Sequence, residues 1–265
     1  MTWIVAKQFL PGYVALFSDV QITWRSGEIR KDCLKKVYPL ANNIVAGFSG
    51  SVDVGFLLLN DLNKYMANID NTGKTIYPRK ISERWHRRAR KIFKKLPEEH
   101  KKLGCSIIMA GVSPTETNGN TDLPRSDIIV FRSNNDFKPK YIPFLKTASI
   151  GSGNNVDAYI EFMNGTNEMD NIMELSKADA TLGGAGEHLA FMASIMLQDN
   201  QEAGISKHIH CTLVSKFGWQ QSPLNFATYD KEDNKIETTM PKVAESYREF
   251  QQLQKSILER GAAYA

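Results

Sequence analysis

Thr2 has the most chemistry to offer, because it follows the initiator Met1 directly. A small second residue is the context in which methionine aminopeptidase removes Met1. The α-amine so freed has an ordinary pKa of about 7.7 to 8.0 and can take the proton of its own side-chain hydroxyl, placing nucleophile and base in one residue. Many ordinary proteins begin Met-Thr, and position alone decides nothing. Four residues give it company: Asp19 in Phe-Ser-Asp-Val-Gln, Lys36 in Leu-Lys-Lys-Val, Gly47 in Val-Ala-Gly-Phe-Ser-Gly and Ser152 in Ile-Gly-Ser-Gly. Singly, each has a plain structural reading. Asp19 caps a turn, Lys36 is a solvated strand-edge charge, and Gly47 and Ser152 belong to strand-to-helix turns.

Other chemistries have thinner support. His208 and His210 alternate along a strand and share a face, but no third ligand has a matching spacing, so neither a metal site nor a cofactor is expected. Cys33, Cys105 and Cys211 are odd in number and lack metal-ligand spacing, which suits reduced thiols in a reducing compartment. The net charge of +4 is concentrated between Arg79 and Lys102, where eleven of 24 residues are Lys or Arg. Such a basic helix binds nucleic acid or an acidic partner in some proteins and is a solvated face in most, and no nucleic-acid motif accompanies it. The apolar run from Trp3 to Phe17 is broken by Lys7, Gln8, Pro11 and Gly12 and is no signal peptide. No uninterrupted apolar stretch is long enough to span a bilayer, so the expectation is a soluble cytoplasmic protein.

The elements that must position these residues are legible from pattern. Strands are expected at Trp3 to Leu10 and Tyr13 to Val20 around Pro11-Gly12, at Gln21 to Arg25 and Glu28 to Arg30 around Ser26-Gly27, and at Lys36 to Leu40 and Asn43 to Phe48. A helix follows Gly50 to about Ile69. A second starts at a Ser82 cap and carries Trp85, Ala89, Ile92, Phe93 and Leu96 at helical spacing before Pro97. Strands resume at Cys105 to Val112, Asp127 to Arg132, Lys138 to Pro143 and Ala148 to Ile150, with Ser113 to Arg125 a loop. Helices are expected at Asn155 to Met163, Met169 to Ser176 and Gly186 to Leu197. Strands at His208 to Val214, Leu224 to Tyr229 and Lys235 to Thr239 precede a C-terminal helix at Val243 to Glu259. Hairpin-length connections without βαβ alternation predict an α+β fold: two antiparallel sheets face to face with helices outside both, a four-layer α/β/β/α sandwich in one domain over residues 1–265.

In these five motifs and their order the chain resembles the proteasome β subunits and the peptidase subunit of the bacterial ATP-dependent proteasome-like protease. The likeness covers Thr2 to about Asp61 and Ala148 to about Ile160. It implies an N-terminal nucleophile hydrolase of the threonine type, a peptidase or amidohydrolase acting on a peptide or protein substrate. By the same likeness Thr2 is the nucleophile, and Lys36, held by Asp19, lowers the pKa around its hydroxyl. Gly47 offers an oxyanion N–H, Ser152 positions the terminal amine, and Val45 lines the pocket for the residue before the cleaved bond. The resemblance also implies self-assembly into a ring-like homo-oligomer and admits an ATPase partner.

The chain departs from the family in two places. The family has an Asp three residues before a Ser that is followed by Gly, shortly before a strand ending in Gly-Trp. Here Gly218-Trp219 is present and Ser206 takes the Ser position, but Ala203 stands for the Asp and Lys207 for the Gly. Asp199 or Glu202 is the candidate substitute acid. The basic segment from about Lys64 to Leu103 is longer than its family counterpart. Two other functions stay in view: a catalytically silent proteasome-like scaffold, and a nucleic-acid-binding module using the basic helix over 82–96. The start at the first strand, without the extra helix of the silent α-type subunits, favours the catalytic β type.

Overall fold

The computed structural model describes residues 2–10, 12–24, 29–117, 124–144, 146–155, 157, 205–206, 208–224, 226–229 and 235–262. Strands β1 (Trp3–Leu10) and β2 (Tyr13–Asp19) form the expected hairpin. Nearly every described side chain along them is buried, so the sheet they build is covered on both faces. That sheet has the order β10, β1, β2, β11, β12, where β10 is Thr147–Gly151, β11 is Ile209–Ser215 and β12 is Gly218–Leu224; every pairing in it is antiparallel. Sheet two runs β5 (Val37–Ala41), β6 (Ile44–Gly50), β7 (Cys105–Thr117), β8 (Pro124–Arg132) and β9 (Lys140–Ile142), also antiparallel throughout. Small hairpins pair β3 (Gln21–Trp24) with β4 (Ile29–Asp32), and β13 (Phe226–Tyr229) with β14 (Lys235–Thr238).

The alternation along β1, β2, β6 and β7 decides how the sheets meet. Ile4 and Leu16 of sheet one enter one apolar cluster with Val45, Ile108 and Val130 of sheet two, so the two sheets lie face to face. The intervening residues of sheet two, among them Ala46, Phe48, Met109 and Phe131, turn to the other side and pack under helices α1 (Val52–Asp70) and α2 (Pro78–Lys94). Ser51 caps α1 by accepting from the Val54 N–H. Trp85 of α2 is fully buried, its ring edge-on to Phe131 at 5.2 Å. At the C-terminus α4 (Tyr247–Ala262) packs through Phe250, stacked on Trp24 at 6.1 Å.

Several boundaries differ from the sequence expectation for identifiable reasons. Pro78 occupies the first turn of α2, so the helix begins four residues ahead of Ser82. Ser82 is buried inside it instead, donating to the Arg79 carbonyl at 2.7 Å. A short helix α3 (Glu98–Lys101) follows Pro97. The segment expected as a loop over Ser113 to Arg125 is partly ladder, with Thr117 opposite Pro124. Gly218-Trp219 does not end a strand; it opens β12, which the pattern missed. Helix α4 starts four residues late because Ala244 is held beside β4's successor segment, its N–H donating to the Cys33 carbonyl at 2.7 Å. The helices expected between Asn155 and Leu197 lie outside the described residues, apart from a single 3₁₀ turn at Ser152–Asn155. No described helix is long and apolar enough to cross a membrane.

Candidate active site

Strand β1 begins one residue after Thr2, and the end of β10 fixes where that residue sits. Trp3 pairs with Gly151, whose φ of 106° is open to glycine and whose missing Cβ would lie 1.8 Å from the Thr2 carbonyl oxygen. The turn therefore closes directly onto the chain's start. The Ser152 N–H donates to the Thr2 carbonyl at 2.8 Å, and Thr2 N–H donates to Ser152 Oγ at 3.3 Å. Ser152 thus contacts the backbone of Thr2 on both its N–H and its carbonyl. The Thr2 hydroxyl makes no hydrogen bond among the described residues and is left available.

On the other side stands a buried ion pair. Lys36 Nζ lies 2.9 Å and 2.8 Å from the two oxygens of Asp19 and donates to the Gln21 carbonyl at 2.6 Å. Asp19 in turn accepts from the backbone N–H of Trp3 at 2.7 Å and of Gln21 at 3.1 Å. The carboxylate so ties the lysine to the residue following Thr2. Lys36 is 0% exposed and Asp19 1%, which overturns the reading of Lys36 as a solvated edge charge. Burial pulls the lysine below its ordinary range, and the charge and hydrogen bonds of Asp19 act against that pull. Lys35, adjacent, reaches instead over the Tyr38 ring.

Gly47 and Val45 share the inter-sheet face of β6. A Cβ on Gly47 would meet Ile4 Cδ1 at 2.8 Å and the Lys36 carbonyl oxygen at 2.9 Å, so glycine lets β6 approach the backbone of Lys36, which stands one residue ahead of β5 and not, as expected, within it. Val45 is fully buried in the inter-sheet cluster. Neither lines the cleft that Thr2 borders; Ser49, two residues further along the same face, does. That cleft holds about 950 Å³ and is also bordered by Ser152, Cys105 and Arg132. Burial pushes the Cys105 thiol up to about 12, which leaves it protonated and a poor competing nucleophile. A separate cavity of about 640 Å³ lies between α1 and the start of α4, and none of the candidate residues lines it.

Ser206 has an acid partner that sequence reasoning missed. Its hydroxyl donates to Asp32 Oδ2 at 2.5 Å, and the same oxygen lies 2.6 Å from His208 Nδ1. Asp32 also accepts from Gln21 Nε2 at 3.1 Å. Burial would raise the Asp32 pKa, but hydrogen bonds from His208, Ser206 and Gln21 outweigh it and hold the carboxyl below its ordinary range. Asp199 and Glu202 lie outside the described residues, as does Ala203. Asp32 was within reach of the pattern: a hairpin centred on Ser26-Gly27, continued two residues past Arg30, puts Asp32 opposite Gln21, the register observed. Ser206 Oγ also lies 3.3 Å from His208 Nδ1 and accepts from the His208 backbone N–H at 2.9 Å, so serine, histidine and aspartate form one hydrogen-bonded group.

His210 stands apart from this group. It lies opposite Ser18 in the ladder, and its Nδ1 and the Ser18 hydroxyl are buried without hydrogen-bond partners among the described residues. Burial, with Lys35 adding to it, lowers its pKa to about 4. No group of three or more potential metal ligands occurs among the described residues.

No protein-family model and no curated protein matches the chain. The functional reading accordingly rests on this geometry and on the motif order.

Proposed function

We propose that the chain is a threonine-type N-terminal nucleophile hydrolase that cleaves peptide bonds through Thr2 once Met1 is removed. The single observation that carries this reading is the placing of Thr2. Its hydroxyl makes no hydrogen bond among the described residues and borders a cleft, its backbone is clamped by Ser152, and a buried Lys36 and Asp19 pair is bonded to the next residue. Loss of Met1 converts the Thr2 amide into an amine within reach of Ser152 Oγ. That amine accepts the hydroxyl proton as the oxygen attacks the substrate carbonyl, then returns it to the leaving amine, and water reverses the sequence on the ester. The buried lysine's positive charge favours the developing negative charge. The oxyanion contact falls to the end of β6, where Gly47 gives room and Ser49 borders the cleft. The face-to-face antiparallel sheets with helices packed on one outer side support the reading as an α/β/β/α sandwich.

One observation favours the silent-scaffold alternative. All three Lys36 protons already have acceptors in Asp19 and Gln21, so none is left for Thr2. Intact-mass measurement followed by a peptide epoxyketone, which needs both the free amine and the hydroxyl, separates the two. The hydrolase reading expects loss of Met1 and one adduct, absent in Thr2→Ala. A trimmed chain that takes no adduct and cleaves no peptide overturns the hydrolase reading and favours the silent alternative.

A further inference from the structure

The cleft beside Thr2 has a charge asymmetry that the nucleophile itself does not require. Lys101, Lys102 and Arg132 border it, and no Asp or Glu does so among the described residues. Two of the three cations have no acidic partner among the described residues. Lys101 is neutralised by Glu98 at 2.8 Å, whereas Lys102 and Arg132 make no ion pair among the described residues. Arg132 ends β8 in sheet two and donates through Nη2 to the Ser149 carbonyl of β10 at 3.2 Å, so its guanidinium bridges the sheets next to the turn that clamps Thr2. A guanidinium has five donors, and this contact uses one.

The loop carrying Lys102 is held at the rim. The Gly104 carbonyl accepts from Ser51 N–H at 3.1 Å, and the Cys105 N–H donates to Ser133 Oγ at 3.0 Å. These bonds fix the far end of the short span that follows α3, and its start is tied by the Lys102 N–H, which donates to the Glu98 carbonyl at 3.1 Å. The tail of the basic segment thereby becomes one wall of the cleft instead of a free surface charge. Between low-dielectric sheet edges such uncompensated cations focus a positive potential into the opening, which raises the local concentration of anions and repels cationic groups. A planar carboxylate suits the free donors of Arg132.

We infer that the cleft selects peptides carrying a carboxylate side chain beside the bond to be cut. Its place beside the scissile bond rests on the reading of Thr2 as nucleophile; the anion preference of the cleft is measurable by binding alone. The test uses fluorescein-labelled peptides identical but for one Glu or Gln, titrated into the Thr2→Ala chain at low and high salt, and the fluorogenic counterparts offered to the trimmed wild-type chain. The expected result is binding of the Glu peptide at least tenfold tighter than its Gln twin, a preference that shrinks with salt and falls at least fivefold in Lys102→Glu and in Arg132→Gln. Lys102 is exposed at the rim, so its variant folds even if loss of the Arg132 bridge disturbs the sheets. Equal binding of the two peptides overturns the inference. Cleavage of both at equal kcat/KM overturns it as well, while leaving the hydrolase in place. Preferential binding without any cleavage supports the anion-selective cleft and overturns the hydrolase.

Discussion

Lys36 carries an ammonium where water does not reach, and everything that makes this tolerable is a neighbour: two carboxylate oxygens and a carbonyl. Removing one partner of such a pair strands the other. Lys36→Met is expected to destabilise the chain by about 3–5 kcal/mol, and adding Asp19→Asn should recover much of it, because the double variant buries no lone charge. Urea unfolding of the three chains measures both numbers. His210 gives a pH signature. Its folded pKa near 4 lies below the unfolded value of about 6.5, so between these limits the unfolded chain binds more protons. Stability therefore drops as pH falls through that window, by about 3 kcal/mol in all, and levels off below it. His210→Leu should flatten this part of a melting-temperature profile. At this scale the sequence was most informative where a residue's type conflicts with its surroundings. A lysine in a Lys-Lys-Val strand and an aspartate closing an apolar strand stand out, whereas the burial of Val45 depends on a sheet-to-sheet distance that no local pattern encodes.

Two strand ends, those of β10 and β4, set the site's dimensions. The first closes on Thr2 through Gly151, where a methyl group would overlap a backbone oxygen at 1.8 Å. Gly151→Ala must move either the turn or Thr2, and it is expected to abolish the Thr2 adduct even in chains that remain folded, as mass spectrometry and circular dichroism would show together. The end of β4 brings in Asp32. Asp32→Asn leaves Ser206 and His208 competing for a weaker acceptor and should cost about 1–3 kcal/mol at pH 7. Because the folded carboxyl is held below its unfolded value, that difference is present above about pH 4 and fades as the pH falls through the lower folded value. Chemical denaturation at pH 7 and pH 3 would expose the trend. Most strands were readable because alternation and turn residues coincide. Helix starts were less so, since Pro78 outweighs the Ser82 cap only when the preceding loop is seen to end there. The missed strand β12 has an exposed edge, with Trp219 39% accessible, and lacks the apolar alternation that marks buried strands.

At the level of the whole molecule the basic segment divides into two parts. Arg79, Lys80, Arg88 and Arg90 pair with Asp127, Glu116, Asp61 and Asp136, while the apolar side of the same helix anchors it through Trp85. Trp85→Ala is expected to cost about 3–5 kcal/mol, since it empties a fully buried site and frees its donor contact with Asp61. These pairings make much of the charge a means of seating α2, and they weaken the case for a nucleic-acid surface. The sandwich of two antiparallel sheets was legible from the order of elements, because hairpins dictate pairing and pairing dictates layers. What the order did not reveal is that β1 is an interior strand, with β10 on one side and β2 on the other. Chain ends usually fray on fast timescales, and their amides exchange with solvent almost freely. Here the amides immediately after Thr2 belong to a strand paired on both sides and should be among the slowest to exchange deuterium, so the segment that carries Thr2 is expected to be as protected as the centre of the molecule.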